Sequence, residues 1–443
     1  MFTTGADNKH EGQSPDHWLP ASALDAPAGM SDAKAISRRL EGAAAMPRSA
    51  SGQTGPNKVA LYATIGPELT QYDVDVEGAT LDKRGAVTLP ANVHYVWPHA
   101  SGRYLYVASS NSASGMGPAG DKHHVTAFRI DPGSGALTPH GDPIPLPTRP
   151  IHMTTDIPSE HLLVAFSNPS GLRVYRINSD ATPGAEVVQP EPIDPGIYAH
   201  QVRVRLDNRS VILVTRGHDA ASGKPEEPGA LKVFAYRQGL LTKEVSVAPS
   251  GGYGFGPRHL DFHPMRPWVY VSLERQNKLD LFEFSGDALS PAPVFRKDTL
   301  AEPANIRGRQ IAGTVYVHPN GRSVYAVNRA STTTEFEGKR VFAGGENNFA
   351  VYSIDPSTGE PSLIQHVDTR GIHCRTFHID PSGRLLVAAH IMPLLVKEGA
   401  TLRIVPASLA VFRIDGDGRL DFVRKYDVDV GDKTMFWMGM VVR

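Results

Sequence analysis

The sequence has 443 residues, in which 45 Lys and Arg balance 46 Asp and Glu to give a formal net charge of −1. This balance indicates no general attraction to nucleic acid or to an anionic membrane. A single cysteine, Cys374, excludes an intrachain disulfide and any CxxC metal or redox site. The start lacks the basic and apolar segments of a signal peptide, and no window approaches the roughly 18 apolar residues of a membrane span. We therefore expect a cytoplasmic protein.

Composition changes near residue 57. Residues 1–56 are rich in Ala, Gly, Ser and Pro, which predicts an extension that is poorly ordered or packs on the outside. From Lys58 onward, short β-rich runs alternate with turns. We interpret residues 57–443 as one catalytic domain.

A short strand with a central aromatic residue recurs along this domain, as in VTAFRID, LKVFAYR and LAVFRID. Seven copies occur, spaced 47 to 70 residues apart. Their aromatic residues are Tyr72, Phe128, Tyr175, Phe234, Phe282, Tyr352 and Phe412. Repetition at such a period is typical of solenoids and propellers.

A hairpin with a P-x-G-R type of turn precedes six of the copies, most clearly in VYVHPNGRSVYAVNR and FHIDPSGRLLVAAH. The parts of a seventh hairpin stand at the two ends of the domain, as KVALYATIG and KTMFWMGMVV. No helical periodicity interrupts the pattern. The sequence therefore predicts an all-β fold, a seven-bladed β-propeller closed by N-terminal and C-terminal strands that share one blade.

Position within the repeat, counted from the Pro of the P-x-G-R turn or from its equivalent in the other hairpins, indicates which side chains share one level of the central channel. We call this Pro or its equivalent the turn position. Six residues before the turn position stand His94, Ile151, His200, Arg258, Gly313 and Arg375. Ten residues after it stand Ser110, Ser167, Arg216, Glu274, Arg329 and Ile391, with His390 one place earlier. Because the turn reverses the chain, both sets lie at the same end of their hairpins. We expect a mouth lined by Arg, His and Glu, with the insertions 111–124, 217–230, 330–348 and 391–408 as its rim or lid.

The segment GPRHLDFHPMRPWVYVSLE places Arg258 and Glu274 across one hairpin. A neighbouring guanidinium lowers the pKa of a carboxyl group, which favours base over acid duty. Several Arg side chains around a pocket suit carboxylate or phosphate groups. The alternative is a structural ion pair that ties blades together. His94 and His152 are similarly open to a role as hydrogen-bonded channel residues.

Three other histidines, His99, His263 and His318, stand one residue before the turn position and are expected to bond the turns near the opposite face. They offer no H-x-H or H-x-x-x-H spacing, so we predict no metal site from them. The sequence also lacks a P-loop, a G-x-S-x-G elbow and a G-x-G-x-x-G that opens a helix. We expect no organic cofactor.

Together, GPRHLDFHP, the following VSLE, AHQVRVRLDNRSVILVTR and HCRTFHIDPSGR make the chain resemble the lactonase and carboxymuconate cyclase family of propellers, over about residues 58–443. This family includes propeller-type 6-phosphogluconolactonases. The resemblance implies catalysis by His200, Arg258, Glu274 and Arg329, without a metal or an organic cofactor. The further residues that we assign to substrate binding are His94, His152, Arg216, His259, Arg375 and His390.

The function predicted from these residues is the hydrolytic opening of an anionic lactone, with an anionic small molecule as the substrate and neither nucleic acid nor membrane as a partner. A muconate-type cycloisomerase needs the same elements and stays an alternative. So does a non-catalytic interaction scaffold, which predicts apolar or aromatic residues at the loop face. A metal-dependent lactonase would need several Asp, Asn and Glu at the channel, where this chain has Arg and His. We expect Glu274→Gln to stop turnover and to change stability by only about 1 kcal/mol.

Overall fold

The computed structural model describes residues 58–112, 120–221 and 223–443, so the predicted extension 1–56 lies outside the described residues. Regular structure in these ranges is β-strand, apart from a single 3-10 turn at Pro249–Gly252. No helix in the described part of the chain is long and apolar enough to cross a membrane.

The first sheet, blade 1, combines strands that are distant in sequence. It contains β1 (Val59–Ile65), β2 (Glu68–Asp75) and β3 (Thr80–Thr88). Its fourth strand, β34 (Met438–Val442), pairs antiparallel with β1. One blade therefore contains strands from both ends of the described chain.

Blades 2 to 4 are antiparallel meanders of consecutive strands. Blade 2 contains β4 (Asn92–Pro98), β5 (Tyr104–Ser110), β6 (His123–Ile130), β7 (Leu137–Pro139) and β8 (Ile144–Pro145). Blade 3 contains β9 (Pro150–Thr155), β10 (His161–Ser167), β11 (Ser170–Ile177) and β12 (Pro183–Glu186). Blade 4 contains β13 (Ala199–Val204), β14 (Ser210–Thr215), β15 (Ala230–Arg237) and β16 (Leu240–Val247).

Blade 5 is a further meander, whereas blades 6 and 7 each carry an insertion between their second and third strands. Blade 5 contains β17 (Pro257–Phe262), β18 (Trp268–Leu273), β19 (Lys278–Ser285), β20 (Ala288–Leu289) and β21 (Phe295–Asp298). Blade 6 contains β22 (Gln310–Val317) and β23 (Ser323–Ala330), then, after its insertion, β26 (Asn348–Ile354) and β27 (Pro361–Asp368). Blade 7 contains β28 (Cys374–Ile379) and β29 (Leu385–His390), then β32 (Ser408–Ile414) and β33 (Leu420–Asp427).

The two insertions pair with each other in a separate sheet, here named the rim sheet. It contains β24 (Thr333–Phe336) and β25 (Lys339–Phe342) from blade 6, and β30 (Leu394–Glu398) and β31 (Thr401–Val405) from blade 7. Strands β25 and β30 pair in parallel at Val341 and Leu395. The described residues thus form seven blades and one rim sheet.

The first strands of successive blades lie side by side around a channel. Contacts join β4 to β9, β9 to β13, β13 to β17, β17 to β22, β22 to β28 and β28 to β34. Apolar clusters fill the spaces between facing blades, as where Val271 and Phe282 of blade 5 pack with Val214 of blade 4. The structure is therefore a seven-bladed β-propeller, as the repeats predicted.

The repeated aromatic residues explain how each blade is held. All seven lie in the third strand of the order that starts at the channel, and all are buried, with Phe282 and Phe412 fully so. Truncating such a side chain to Ala typically costs about 3–5 kcal/mol. The turn histidines also lie as predicted, since Nε2 of His263 bonds the carbonyl of Gly321 and Nε2 of His318 bonds that of Gly383. Both bonds connect one blade to the next.

Candidate active site

An interruption of strand pairing aims side chains at the channel in six blades. Between the first and second strands the register skips one residue, or two in blade 6, at the level that the repeats indicated. The skipped residues, here named the ring residues, are His94, Ile151, His200, Arg258, Gly313 with Thr314, and Arg375. A β-bulge re-aims its extra residue and is common beside active sites. These bulges free the ring residues from the ladder and turn them to the mouth.

A buried carboxylate with three arginines occupies one side of the mouth; we name these four residues the Glu274 cluster. Nη1 of Arg216 donates to Oε2 of Glu274 at 2.5 Å, and Nη2 of Arg329 donates to Oε1 at 2.5 Å. Nε of Arg258 lies 3.0 Å from Oε1. Arg258, Glu274 and Arg329 are at most 3% exposed. The structure thus brings together three of the four predicted catalytic residues, and Arg216 with them.

The charges of this cluster fix the ionisation of Glu274. Burial by itself raises the pKa of this carboxyl group, but the charges of Arg216, Arg258 and Arg329 outweigh that effect and lower its pKa to about 2. At neutral pH the side chain is therefore a carboxylate, which can accept a proton and cannot donate one.

Neutral histidines lie beside the arginines. The ring centroid of His200 is 5.2 Å from that of His259, which is 6.2 Å from that of His152. Burial and the nearby charge of Arg258 hold the pKa of all three well below the ordinary value. Buried ring nitrogens of His152 and Nδ1 of His200 have no hydrogen-bond partner among the described residues. Such atoms are available to a bound molecule or to water.

In blade 7, next to the blade of Arg329, Arg375 stacks on an aromatic ring. Its Cζ lies 3.6 Å from the centroid of Phe436, whose carbonyl accepts a hydrogen bond from Nε at 3.0 Å. The edge of His94 meets the same ring, with a centroid distance of 5.2 Å. His94 is 4% exposed, and neither of its ring nitrogens has a partner among the described residues. We name His94, Arg375 and Phe436 the Arg375 group.

The structure does not bring His390 to these side chains. Its Nδ1 lies 3.0 Å from Oγ of Ser408 on the neighbouring strand of blade 7, and its ring packs beside Gly371. The reason is the two-residue alternation of a strand, because His390 stands one place before the ring level at Ile391. The equivalent residue of blade 6, Asn328, is also turned away and bonds Thr299. His390 is therefore a packing residue of blade 7, which corrects its assignment to substrate binding.

Two residues of the site were missed by the sequence analysis. His373 receives a hydrogen bond from Nη1 of Arg329 at Nε2, 3.2 Å away, and its Nδ1 lies 2.7 Å from Oγ of Ser331. Tyr198 lies under Cζ of Arg216, 4.4 Å from its ring centroid. Both have a positive φ, 56° and 58°, which is uncommon for these residue types. The only signal in the sequence was their position, since Tyr198 stands two residues before His200 and His373 stands two residues before Arg375.

The long insertions leave from the strand ends that carry the site. Ser331 bonds His373 and starts the segment that leads into the rim sheet. The 217–230 insertion folds back through bridges between His218 and Glu227 and between Ala221 and Lys224. These insertions thus start at the mouth end of their strands, while residues 113–119 of the 111–124 insertion and residue 222 of the 217–230 insertion are not described.

The fold and the site together define a propeller with a cationic mouth built around one buried carboxylate. A family model described as "Lactonase, 7-bladed beta-propeller" matches residues 59–391, and the chain belongs to that family. The segments on which the resemblance rests, from residue 199 to residue 384, lie within this range.

Relatives of known name fall in the same group. The chain is 24% identical over 369 residues to a 6-phosphogluconolactonase of Bacillus subtilis, covering 80% of this chain and 95% of the relative. It is 27% identical over 335 residues to a 6-phosphogluconolactonase of Cronobacter sakazakii, covering 74% and 86%. Among solved structures, the periplasmic gluconolactonase PpgL of Pseudomonas aeruginosa aligns with a TM-score of 0.64 at 20% identity, over 87% of this chain and 99% of that one. The last similarity concerns the fold alone.

Proposed function

We propose that this protein hydrolyses the ring ester of an anionic lactone at the mouth formed by the Glu274 cluster. The observation that supports the proposal most strongly is the contact of Glu274 with Arg216, Arg258 and Arg329 beside neutral His200. An anionic substrate suits this site, because the arginines outnumber the carboxylate. The curated relatives named above are 6-phosphogluconolactonases, which favours ring opening over the ring closure of a cycloisomerase.

Arg258 and Arg329 would stabilise the negative charge that builds on the carbonyl oxygen when water attacks. A donor aimed at such an oxyanion in a site shielded from water is typically worth about 3 kcal/mol of the barrier. Both side chains are almost fully buried, and Nη1 of Arg258 and Nε of Arg329 have no hydrogen-bond partner among the described residues. Their positions are held by the carboxylate, so little reorganisation is needed during the reaction.

Glu274 would take a proton from the attacking water, while His200 orients that water through its free Nδ1. The proton then passes to the ring oxygen as the acyl–oxygen bond breaks, which gives the open hydroxy acid. An anionic group that enters beside the arginines offsets their charge, and this raises the pKa of both Glu274 and His200. Substrate binding would in this way make both groups better bases.

We propose that the reaction needs no metal ion. Arg and His occupy the ring levels, and their charge and donors disfavour a divalent cation at the mouth. Asp156, Glu160 and His161 are grouped elsewhere in the described chain, at the turn between β9 and β10. The oxygens of Asp156 there already accept hydrogen bonds from His161 and Tyr236. This grouping is explained by turn chemistry.

We propose further that residues 57–443 form the catalytic domain and that blade 1 closes its ring. Pairing of β34 with β1 and an apolar cluster of Leu61 with Leu385 and Val411 of blade 7 support closure. Closure would remove the exposed strand edges that invite aggregation. It would also keep the two sides of the mouth at a fixed separation.

The decisive experiment offers the purified protein phosphorylated, carboxylated and neutral sugar lactones in water enriched in oxygen-18. We expect proton release above the spontaneous rate and one solvent oxygen in the new carboxylate. A matched reaction with Arg258→Met should be at least tenfold slower. Absence of accelerated opening for every lactone would refute the proposal, and product without solvent oxygen would identify a ring-closing or isomerising reaction instead.

A further inference from the structure

The polar residues of the mouth divide between two arcs of blades. The Glu274 cluster belongs to blades 4, 5 and 6, which supply Arg216, Glu274 with Arg258, and Arg329. The Arg375 group belongs to the next arc of the ring, where blade 7 supplies Arg375 and blade 2 supplies His94. Phe436 stands between them, two residues before the first residue of β34. The two arcs lie close enough for the charge of Arg375 to lower the pKa of His200 and His259.

The two arcs differ in how their positive charge is compensated. Each arginine of the Glu274 cluster has a nitrogen within 3.0 Å of a carboxylate oxygen. Arg375 has no Asp or Glu oxygen within the 4.0 Å that defines an ion pair, as far as the described residues go. Its guanidinium is instead held by the ring and the carbonyl of Phe436. The positive charge at this arc is therefore oriented without a carboxylate in direct contact.

The contacts of Arg375 leave its terminal nitrogens for a ligand. Stacking on Phe436 fixes the plane of the guanidinium, and the bond from Nε uses one edge of it. A fixed planar fork is the form in which arginine binds carboxylate and phosphate best. Beside it, buried His94 meets Phe436 and has both ring nitrogens without a partner among the described residues. A neutral imidazole supplies one further N–H donor to an anion.

We propose that the Arg375 group is an anchoring subsite for a second anionic group of the substrate, a phosphate or carboxylate distant from the lactone carbonyl. This rests on the function proposed above, and it assigns the reaction to one arc and recognition to the other. The Glu274 cluster opens the ring, while Arg375 and His94 hold the far end of the molecule. Lactones without a second anionic group would lack this contact and bind more weakly.

The test compares kcat/KM for a phosphorylated lactone with that for the matching neutral lactone, in the wild-type protein and in Arg375→Met. Loss of a charge-assisted hydrogen-bonding site should lower this ratio about 30-fold. The change should fall mainly on KM, because the contact is the same in the ground and transition states. A lactone whose distant group is a carboxylate, run in parallel, shows which of the two anions the subsite prefers.

Arg384→Met is the matched control, because Arg384 is an exposed arginine at the other end of the same blade and pairs with Glu77. It removes the same charge and should leave the ratio unchanged. His94→Phe is a second variant, which keeps an aromatic edge on Phe436 and removes the donors, and it should lower the ratio in the same direction. An unchanged ratio in Arg375→Met and His94→Phe, or an equal loss of kcat on all lactones, would overturn the subsite.

Titration with inorganic phosphate separates this inference from the proposed function, since it needs no turnover. We expect phosphate to bind the wild-type protein and to bind Arg375→Met at least tenfold more weakly, even if no lactone is opened. Equal affinity in the two proteins would reject the subsite while leaving the lactonase proposal standing.

Discussion

Nη2 of Arg329, near the end of a blade 6 strand, donates a 2.5 Å hydrogen bond to Oε1 of Glu274, which directly follows a strand of blade 5. The bond joins two blades and also forms part of the proposed catalytic cluster. Both partners are almost fully buried. A change at either residue therefore affects the packing of blades and the chemistry of the mouth together.

Glu274→Gln should lower the free energy of unfolding by about 3–5 kcal/mol as well as stop turnover, because it leaves buried guanidinium groups without their carboxylate. The sequence alone suggested a stability change of about 1 kcal/mol, since it indicated one arginine at Glu274 where the structure shows three. Urea unfolding measures the change. Glu186→Gln, the same substitution in an exposed pair with Arg173, should cost no more than about 1 kcal/mol. Equal costs in the two variants would contradict the buried-charge argument.

His373→Asn should reduce kcat/KM about tenfold, mostly through kcat, because it removes the acceptor that positions Arg329. Asn tolerates the positive φ of this position, so the backbone should be retained. Ser331→Ala, which removes the partner of Nδ1 of His373, should act in the same direction with a smaller effect. Full activity in His373→Asn at unchanged stability would show that Arg329 does not depend on it.

Stability should fall as the pH drops from about 6.5 to 4. Burial lowers the pKa of His390 from its ordinary 6.5 to about 4 in the folded protein. In this interval the unfolded chain binds a proton that the folded protein does not, so acidification favours unfolding. Each such group contributes at most about 1.4 kcal/mol per pH unit. Urea titrations at several pH values in this range give the free energy of unfolding as a function of pH. This free energy should change less steeply with pH in His390→Leu than in the wild type, and equal pH dependence in the two proteins would refute the assignment.

Treatment with a chelator should leave the lactonase rate within about twofold of its starting value, because Arg and His disfavour a divalent cation at the mouth. The measurement is proton release before and after exhaustive dialysis against EDTA. Loss of activity that is restored by adding Mg²⁺, Ca²⁺ or Zn²⁺ would count against the metal-free mechanism.

Much of the architecture was readable from the sequence because a propeller repeats its chemistry. The seven aromatic residues from Tyr72 to Phe412 marked one strand per blade, and the turn position gave the level of Arg258, Glu274 and Arg329 in the mouth. Counting residues from the turn position could not reveal the bulges, because no particular residue type marks the place where the strand pairing skips a residue. Counting positions also placed His390 at the site, although it is one residue before the ring level and its side chain therefore lies on the other face of the strand.

Non-local pairing accounts for what remained hidden. The rim sheet forms only when insertions from two blades meet, and the sequence of either insertion alone does not predict that Val341 pairs with Leu395. Similarly, the contact of His373 with Arg329 links neighbouring blades across 44 positions of sequence. Each such contact depends on the geometry of the whole ring.

The sharing of blade 1 between distant strands has a consequence for how this protein is made. Strand β1 is synthesised early, yet it gains its partner β34 only after residues 438–442 have been translated. While this segment is still inside the ribosome, the strands of six blades are all available, whereas blade 1 lacks its fourth strand. Native structure is therefore completed after nearly the whole domain has emerged, and the unfinished β1 edge needs protection from other chains until then.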